Sequence, residues 1–188
     1  MDNILLYTYN PFGNYKRNSA KDLVMRIDVP GVRKVVLDTD HDLSELYKAI
    51  RRFRPDVVIG IGQSSKRGVK VERTFRNTVK RNGKEQRISQ GPSNKAYRSN
   101  LPVSRMAAML GCRVSDDAGK LNCNYSSYRL QDSIARGELK VKAGFIHVPN
   151  TKYFRRKEYL PRFERVMMFI QKGCKAAKGR AGRISREC

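Results

Sequence analysis

"PDVVIGIG", residues 55–62, carries no charge after Asp56 and is apolar apart from its glycines. A run this short has the length of a strand rather than a helix. Apolar character at every position, without alternation, is what a strand covered on both faces requires. Before it, "DLSELYKAIRRF" (42–53) places Leu43, Leu46, Tyr47, Ile50 and Phe53 on one helical face, with Asp42 as the expected cap. "KVVLDT" (34–39) reads as a strand, "SAKDLVMRI" (19–27) as a helix opened by Ser19, and "NILLYT" (3–8) as a strand closed by the Pro-Gly turn in "NPFGN". The order strand, helix, strand, helix, strand specifies an α/β domain. The expected fold is a single-domain three-layer α/β/α sandwich with a mostly parallel central sheet.

After residue 62 the pattern changes. Residues 63–100 are polar and basic, and only "KVERTFRN" (70–77) suggests a strand; the remainder reads as loops or a hairpin. A helix is expected over 101–112, a short strand over 113–119, an amphipathic helix over 123–137, a strand over 141–149 and a terminal helix over 157–177. Pro161 is tolerable in the first turn of that last helix. One domain over 1–178 and a basic tail over 179–188 follow.

Forty Lys and Arg face 17 Asp and Glu, a net charge of +23. Residues 51–100 hold 14 basic and 3 acidic side chains, and residues 151–188 hold 12 and 3, whereas residues 1–50 balance at 7 and 7. Such a field attracts nucleic acid nonspecifically. It is not interleaved with the aromatic motifs of an RNA-binding sheet. No apolar run approaches the ~20 residues of a membrane helix, and "MDNILLYTYNPFG" lacks the features of a secretory signal. No membrane association and a cytoplasmic location are therefore expected. Cys112, Cys123, Cys174 and Cys188 form no CxxC pair, so free thiols are expected and no metal. "GIGQSS" breaks the dinucleotide fingerprint at Ser65. "DTDHD" (38–42) is too short for a full metal shell. No cofactor is called for.

Cysteine chemistry needs a thiolate, stabilised by an imidazole or a helix N-terminus. Cys123, in "AGKLNCN", stands at the start of a predicted helix, where free N–H groups favour negative charge and can receive an oxyanion. His147, in "AGFIHVP", ends a predicted strand, at the edge where open α/β sheets bind ligands. A third group must fix the imidazole tautomer. Glu72 is the best-placed carboxylate, one of three acids between residues 51 and 100. Each residue alone is ordinarily structural.

Together, "ILLYTYNPFGN", "RPDVVIGIGQSSKRGVKVERTFRN", "ISQGPSNKAYRSNLPV", "VSDDAGKLNCN" and "AGFIHVP" resemble, in order, the type I pyroglutamyl peptidases, over most of residues 3–149. The resemblance implies a cysteine peptidase whose Cys, His and Glu fall on Cys123, His147 and Glu72. Its substrate would be a peptide with N-terminal pyroglutamate. It implies substrate contacts at Phe12, which packs on the pyroglutamyl ring, and at Asn18, Gln63, Tyr9, Leu121 and Asn122. Such a ring needs an apolar slot with a donor and an acceptor. Leu121 replaces a usual aromatic and Asn122 a usual apolar residue; "PFGN" stands for "PFGG". Arg81 is one residue out of step with an arginine that helps hold the oxyanion. Assembly as a homo-dimer or tetramer is implied by resemblance only, and the charge opposes it unless the basic faces point outward. Two other readings stay open: the same fold and triad acting on a different amide or acyl substrate, and a basic nucleic-acid-binding protein with a vestigial triad.

Overall fold

A computed structural model of the chain describes residues 3–13, 15–39, 41–90 and 96–184, with side chains described up to residue 173. Six strands form the central sheet: β1 (Ile4–Tyr9), β2 (Val32–Leu37), β3 (Val57–Ser64), β4 (Lys70–Glu72), β9 (Arg113–Ser115) and β10 (Lys142–Pro149). Their spatial order is β2-β1-β3-β10-β4-β9. Every pairing is parallel except β10 with β4. The sheet is thus mostly parallel, as its apolar strands require.

Alternation along each strand divides the core. Ile4, Leu6, Val57, Ile59 and Ile61 pack on one face, with Leu23 and Val24 of α1 (Ser19–Val24), Met106 and Leu110 of α3 (Val103–Leu110), and Phe163 and Val166 of α5 (Arg156–Ile184). Leu5, Tyr7, Val58 and Phe145 pack on the other, with Leu46 and Ile50 of α2 (Ser44–Phe53) and Tyr128 and Leu130 of α4 (Asn122–Ala135). The expected three layers are present.

Local differences have local causes. The α1 cap is Asn18 rather than Ser19: its Oδ1 accepts from the N–H groups of Ala20 and Lys21. Asp42 stands one residue ahead of the α2 cap, Leu43, and its carboxylate accepts from Ser44 N at 2.8 Å. The 70–77 strand is broken at Arg73, after which β5 (Thr74–Arg76) leaves the main sheet to pair with β8 (Ala96–Arg98). β6 (Val79–Arg81) and β7 (Lys84–Gln86) form a hairpin around Asn82 and Gly83, both at positive φ. Asn-Gly suits such two-residue turns. α5 continues through Ile184, so it covers residues 179–184 of the expected tail; residues 185–188 lie outside the described residues.

Candidate active site

At the C-terminal ends of β1, β3 and β10, and beside the start of β4, opens a cavity of about 610 Å³. Cys123 and His147 both line it. Cys123 is the second residue of α4. The first i→i−4 bond of this helix runs from Tyr125 N–H to Leu121 C=O, so the N–H groups of residues 122–124 lie ahead of the ladder. The turn is fastened from below. The Tyr9 hydroxyl donates to Asn122 O at 3.0 Å and lies 2.6 Å from the Ser126 hydroxyl, which can donate to it. Ser127 Oγ donates to the Cys123 carbonyl at 2.8 Å.

Gly62 lets the sulfur sit against the sheet. A Cβ at that position would lie 2.8 Å from Cys123 Sγ and 2.7 Å from Phe145 Cζ. Gly62 is the register partner of His147 on β10. Sulfur and imidazole therefore stand over adjacent strands, near enough for each to act on the other's charge. On the opposite side of the ring, His147 Nδ1 donates to Glu72 Oε1 at 2.7 Å, which leaves Nε2 for the sulfur. Glu72 is fully buried and His147 is 6% exposed. Glu72 Oε2 has no hydrogen-bond partner among the described residues.

Burial disfavours a charged His147, yet its pKa is pushed up to about 9. Negative charge on Cys123 and a hydrogen bond to it hold the proton on the ring, and the Glu72 hydrogen bond and charge add to this. The array can move a proton between sulfur and ring while the carboxylate fixes the ring's tautomer.

The other expected residues divide. Phe12, Gln63, Tyr9, Leu121 and Asn122 line the cavity. Gln63 Oε1 accepts from Ser19 N at 2.8 Å, which turns its Nε2 donors toward other uses. Asn122 Nδ2 donates to Thr39 O at 3.1 Å, and its Oδ1 is a buried acceptor without a partner among the described residues. Asn18 does not reach the cavity lining. Both ends of its amide are used in the fold, Oδ1 on the α1 cap and Nδ2 on Tyr9 O at 3.0 Å, so it shapes the Phe12 loop. Arg81 lies on the hairpin, 5.1 Å over the Tyr125 ring and outside the cavity lining.

Sequence reasoning missed Lys70, His41 and Tyr15, which line the cavity, and Ser19, which ties α1 to both β3 and β10 through Gln63 and Pro149 O. Lys70 and Glu72 lie two residues apart on one strand, a spacing that puts both on one face. That was the available signal. In the 38–42 segment, Asp38 accepts from Asn10 and Asp42 from Ser44; Asp40 lies outside the described residues. No cluster of three or more potential metal ligands occurs among the described residues, nor any helix long and apolar enough to cross a membrane.

Comparisons with known proteins converge. The sequence profile of the family described as "Pyroglutamyl peptidase" matches residues 2–156. A pyrrolidone-carboxylate peptidase of Vibrio parahaemolyticus is 30% identical over 171 residues, covering 79% of each chain. One of Bacillus subtilis is 30% identical over 174 residues, covering 78% of this chain and 77% of the relative. The crystal structure of pyroglutamyl peptidase I from Bacillus amyloliquefaciens superposes with a TM-score of 0.80 at 23% identity, covering 88% of this chain and 95% of that one. The pyrrolidone carboxyl peptidase of Thermococcus litoralis gives 0.78 at 22% identity, covering 92% and 96%. At these identities the two structures show the shared fold.

Proposed function

The chain belongs to the pyroglutamyl peptidase family, and we propose that it hydrolyses an N-terminal pyroglutamyl group from peptides with Cys123 as nucleophile, His147 as acid–base and Glu72 orienting the imidazole. The observation that carries this reading is the buried imidazole–carboxylate pair, joined by the 2.7 Å bond from His147 Nδ1 to Glu72 Oε1, with the Cys123 sulfur beside it on the wall of a cavity. The pyroglutamyl ring lies on Phe12. Gln63 Nε2 donates to the lactam carbonyl, and Asn122 Oδ1 accepts the lactam N–H. The Cys123 thiolate attacks the acyl carbon, and the N–H groups that open α4 hold the oxyanion. His147 then protonates the departing amine as the C–N bond breaks, leaving a thioester. Water, deprotonated by His147, cleaves the thioester and restores the thiolate.

A second reading, the same triad acting on another amide, is favoured by Leu121, which is 54% exposed at the cavity, and by the polar side chain of Asn122. Release of a fluorophore from a panel of pyroglutamyl, prolyl and other aminoacyl amides separates the two. Turnover of the pyroglutamyl amide, abolished by Cys123→Ala, is expected. Turnover of another member with none of the pyroglutamyl compound decides for the second reading.

A further inference from the structure

Lys70 places an ammonium on the wall of the cavity, beside the triad. It opens β4, its side chain is 6% exposed, and it lines the cavity with Cys123 and His147. Its Nζ lies 3.7 Å from Glu72 Oε1, beyond hydrogen-bond reach, and that oxygen already accepts the His147 N–H. Among the described residues no acceptor is hydrogen-bonded to this ammonium, which has three donors to place. A buried charge persists in a fold when a partner satisfies it. Glu72 is its ion-pair partner, and a ligand in the cavity that Lys70 lines can supply a closer acceptor.

The sheet says which part of the ligand. β3, β10 and β4 are neighbours in that order. Gln63 stands on β3, His147 on β10 and Lys70 opposite His147 on β4. The ring-binding residues Phe12 and Gln63 therefore lie on one side of His147 and Lys70 on the other. An acyl group bound toward β1 and β3 sends its leaving amine past His147 toward Lys70. Lys66 also lines the cavity, and the lining lysine Lys120 is already paired with Glu85. The lining carboxylate of Asp117 accepts the Gly119 N–H at 3.0 Å.

We propose that Lys70 determines specificity on the leaving side by binding a carboxylate of the residue that follows pyroglutamate. That carboxylate is the α-carboxylate of a pyroglutamyl dipeptide or the side chain of an acidic residue. The proposal rests on the reaction proposed above, which fixes the side from which the amine departs. Lys70 has a second consequence. When His147 gives its proton to the amine, Glu72 loses its charged neighbour, and the ammonium at 3.7 Å continues to counter the carboxylate.

The test is binding to the Cys123→Ala protein by calorimetry, with pyroglutamyl-alanine, pyroglutamyl-alanine amide and pyroglutamyl-glutamic acid α-amide as probes. At least one carboxylate-bearing probe is expected to bind about tenfold tighter than the neutral amide, the size of one charged hydrogen bond. Which probe does so distinguishes the α-carboxylate from the side chain. Lys70→Gln in the same background is expected to bring that ratio within about twofold of unity, and Lys70→Arg to preserve it; Lys70→Met replaces the glutamine if that variant does not fold. Equal affinity for all three probes, a preference that survives loss of the ammonium, or no binding at all overturns the proposal. Turnover of the neutral amide by the unaltered protein is read in parallel. Its absence removes the proposed reaction, whereas turnover without a carboxylate preference removes the Lys70 assignment alone.

Discussion

Gly62 decides how close sulfur and sheet can come. Gly62→Ala would drive a methyl into Cys123 Sγ and Phe145 Cζ, and both sit on packed elements that cannot simply swing away. The variant is expected to lose about 1–3 kcal/mol of stability by overpacking and nearly all pyroglutamyl amidase activity, read by denaturant melts and fluorophore release. The two thiols with described side chains should also differ. Burial pushes the Cys112 thiol up to about 11, so it stays protonated at neutral pH. Iodoacetamide is expected to label Cys123 ahead of Cys112 in peptide mapping, because the thiolate is the reactive form; equal labelling contradicts an activated sulfur. His147 sets the pH profile. Its pKa is raised above the ordinary 6.5 to about 9, so the imidazolium and its contribution to stability are fully present below 6.5 and are lost as pH rises through 9. The rate constant kcat/KM is expected to fall on an alkaline limb near pH 9. Glu72→Gln should move that limb downward, because the Glu72 charge and hydrogen bond both raise the value. An unmoved limb would separate Glu72 from the acid–base step.

At the scale of elements, the site depends on how helices begin. α4 brings Cys123 to the cavity in its first turn, held by Tyr9 and Asn122, and α1 begins at Asn18, whose amide also ties down Tyr9 O. Asn18→Ala is expected to cost about 1–2 kcal/mol, the sum of a lost cap and a lost buried hydrogen bond. It should raise KM more than it lowers kcat, since the Phe12 loop loosens while the triad stays in place. The long apolar strands and the four central helices were legible because their periodicity is intrinsic to one segment. Cys123 and His147 were legible because a helix start and a strand end carry local signals. Arg73, where the 70–77 segment turns out of the sheet, was not legible, since its backbone N–H goes to Ser115 O on the neighbouring strand β9, distant along the chain. The true place of Asn18 and Arg81 was hidden for the same reason: their partners, Tyr9 O and the Tyr125 ring, are set by tertiary packing. The hydrogen bonds that occupy both ends of the Asn18 amide have no signature along the chain.

For the whole molecule, the net charge of +23 is the property that the reaction leaves unused. Charge without a built groove gives nonspecific, salt-sensitive attraction to polyanions. Duplex DNA of unrelated sequences is expected to bind equally at low salt and to be released by physiological salt, as read by fluorescence anisotropy. A sequence preference that survives at higher salt would contradict this and revive the reading of a nucleic-acid-binding protein. The three-layer fold itself delivers three chain-distant side chains to one edge: Glu72 from β4, Cys123 from α4 and His147 from β10.

Acid-quenched mass spectrometry of the protein during turnover of a pyroglutamyl amide tests that convergence most directly. One pyroglutamyl group bound as a thioester on the peptide containing Cys123, absent when the same experiment is run on Cys123→Ser, is the expected result. Undiminished hydrolysis by a Cys123→Ala protein, or an acyl group found on any other residue, would contradict it.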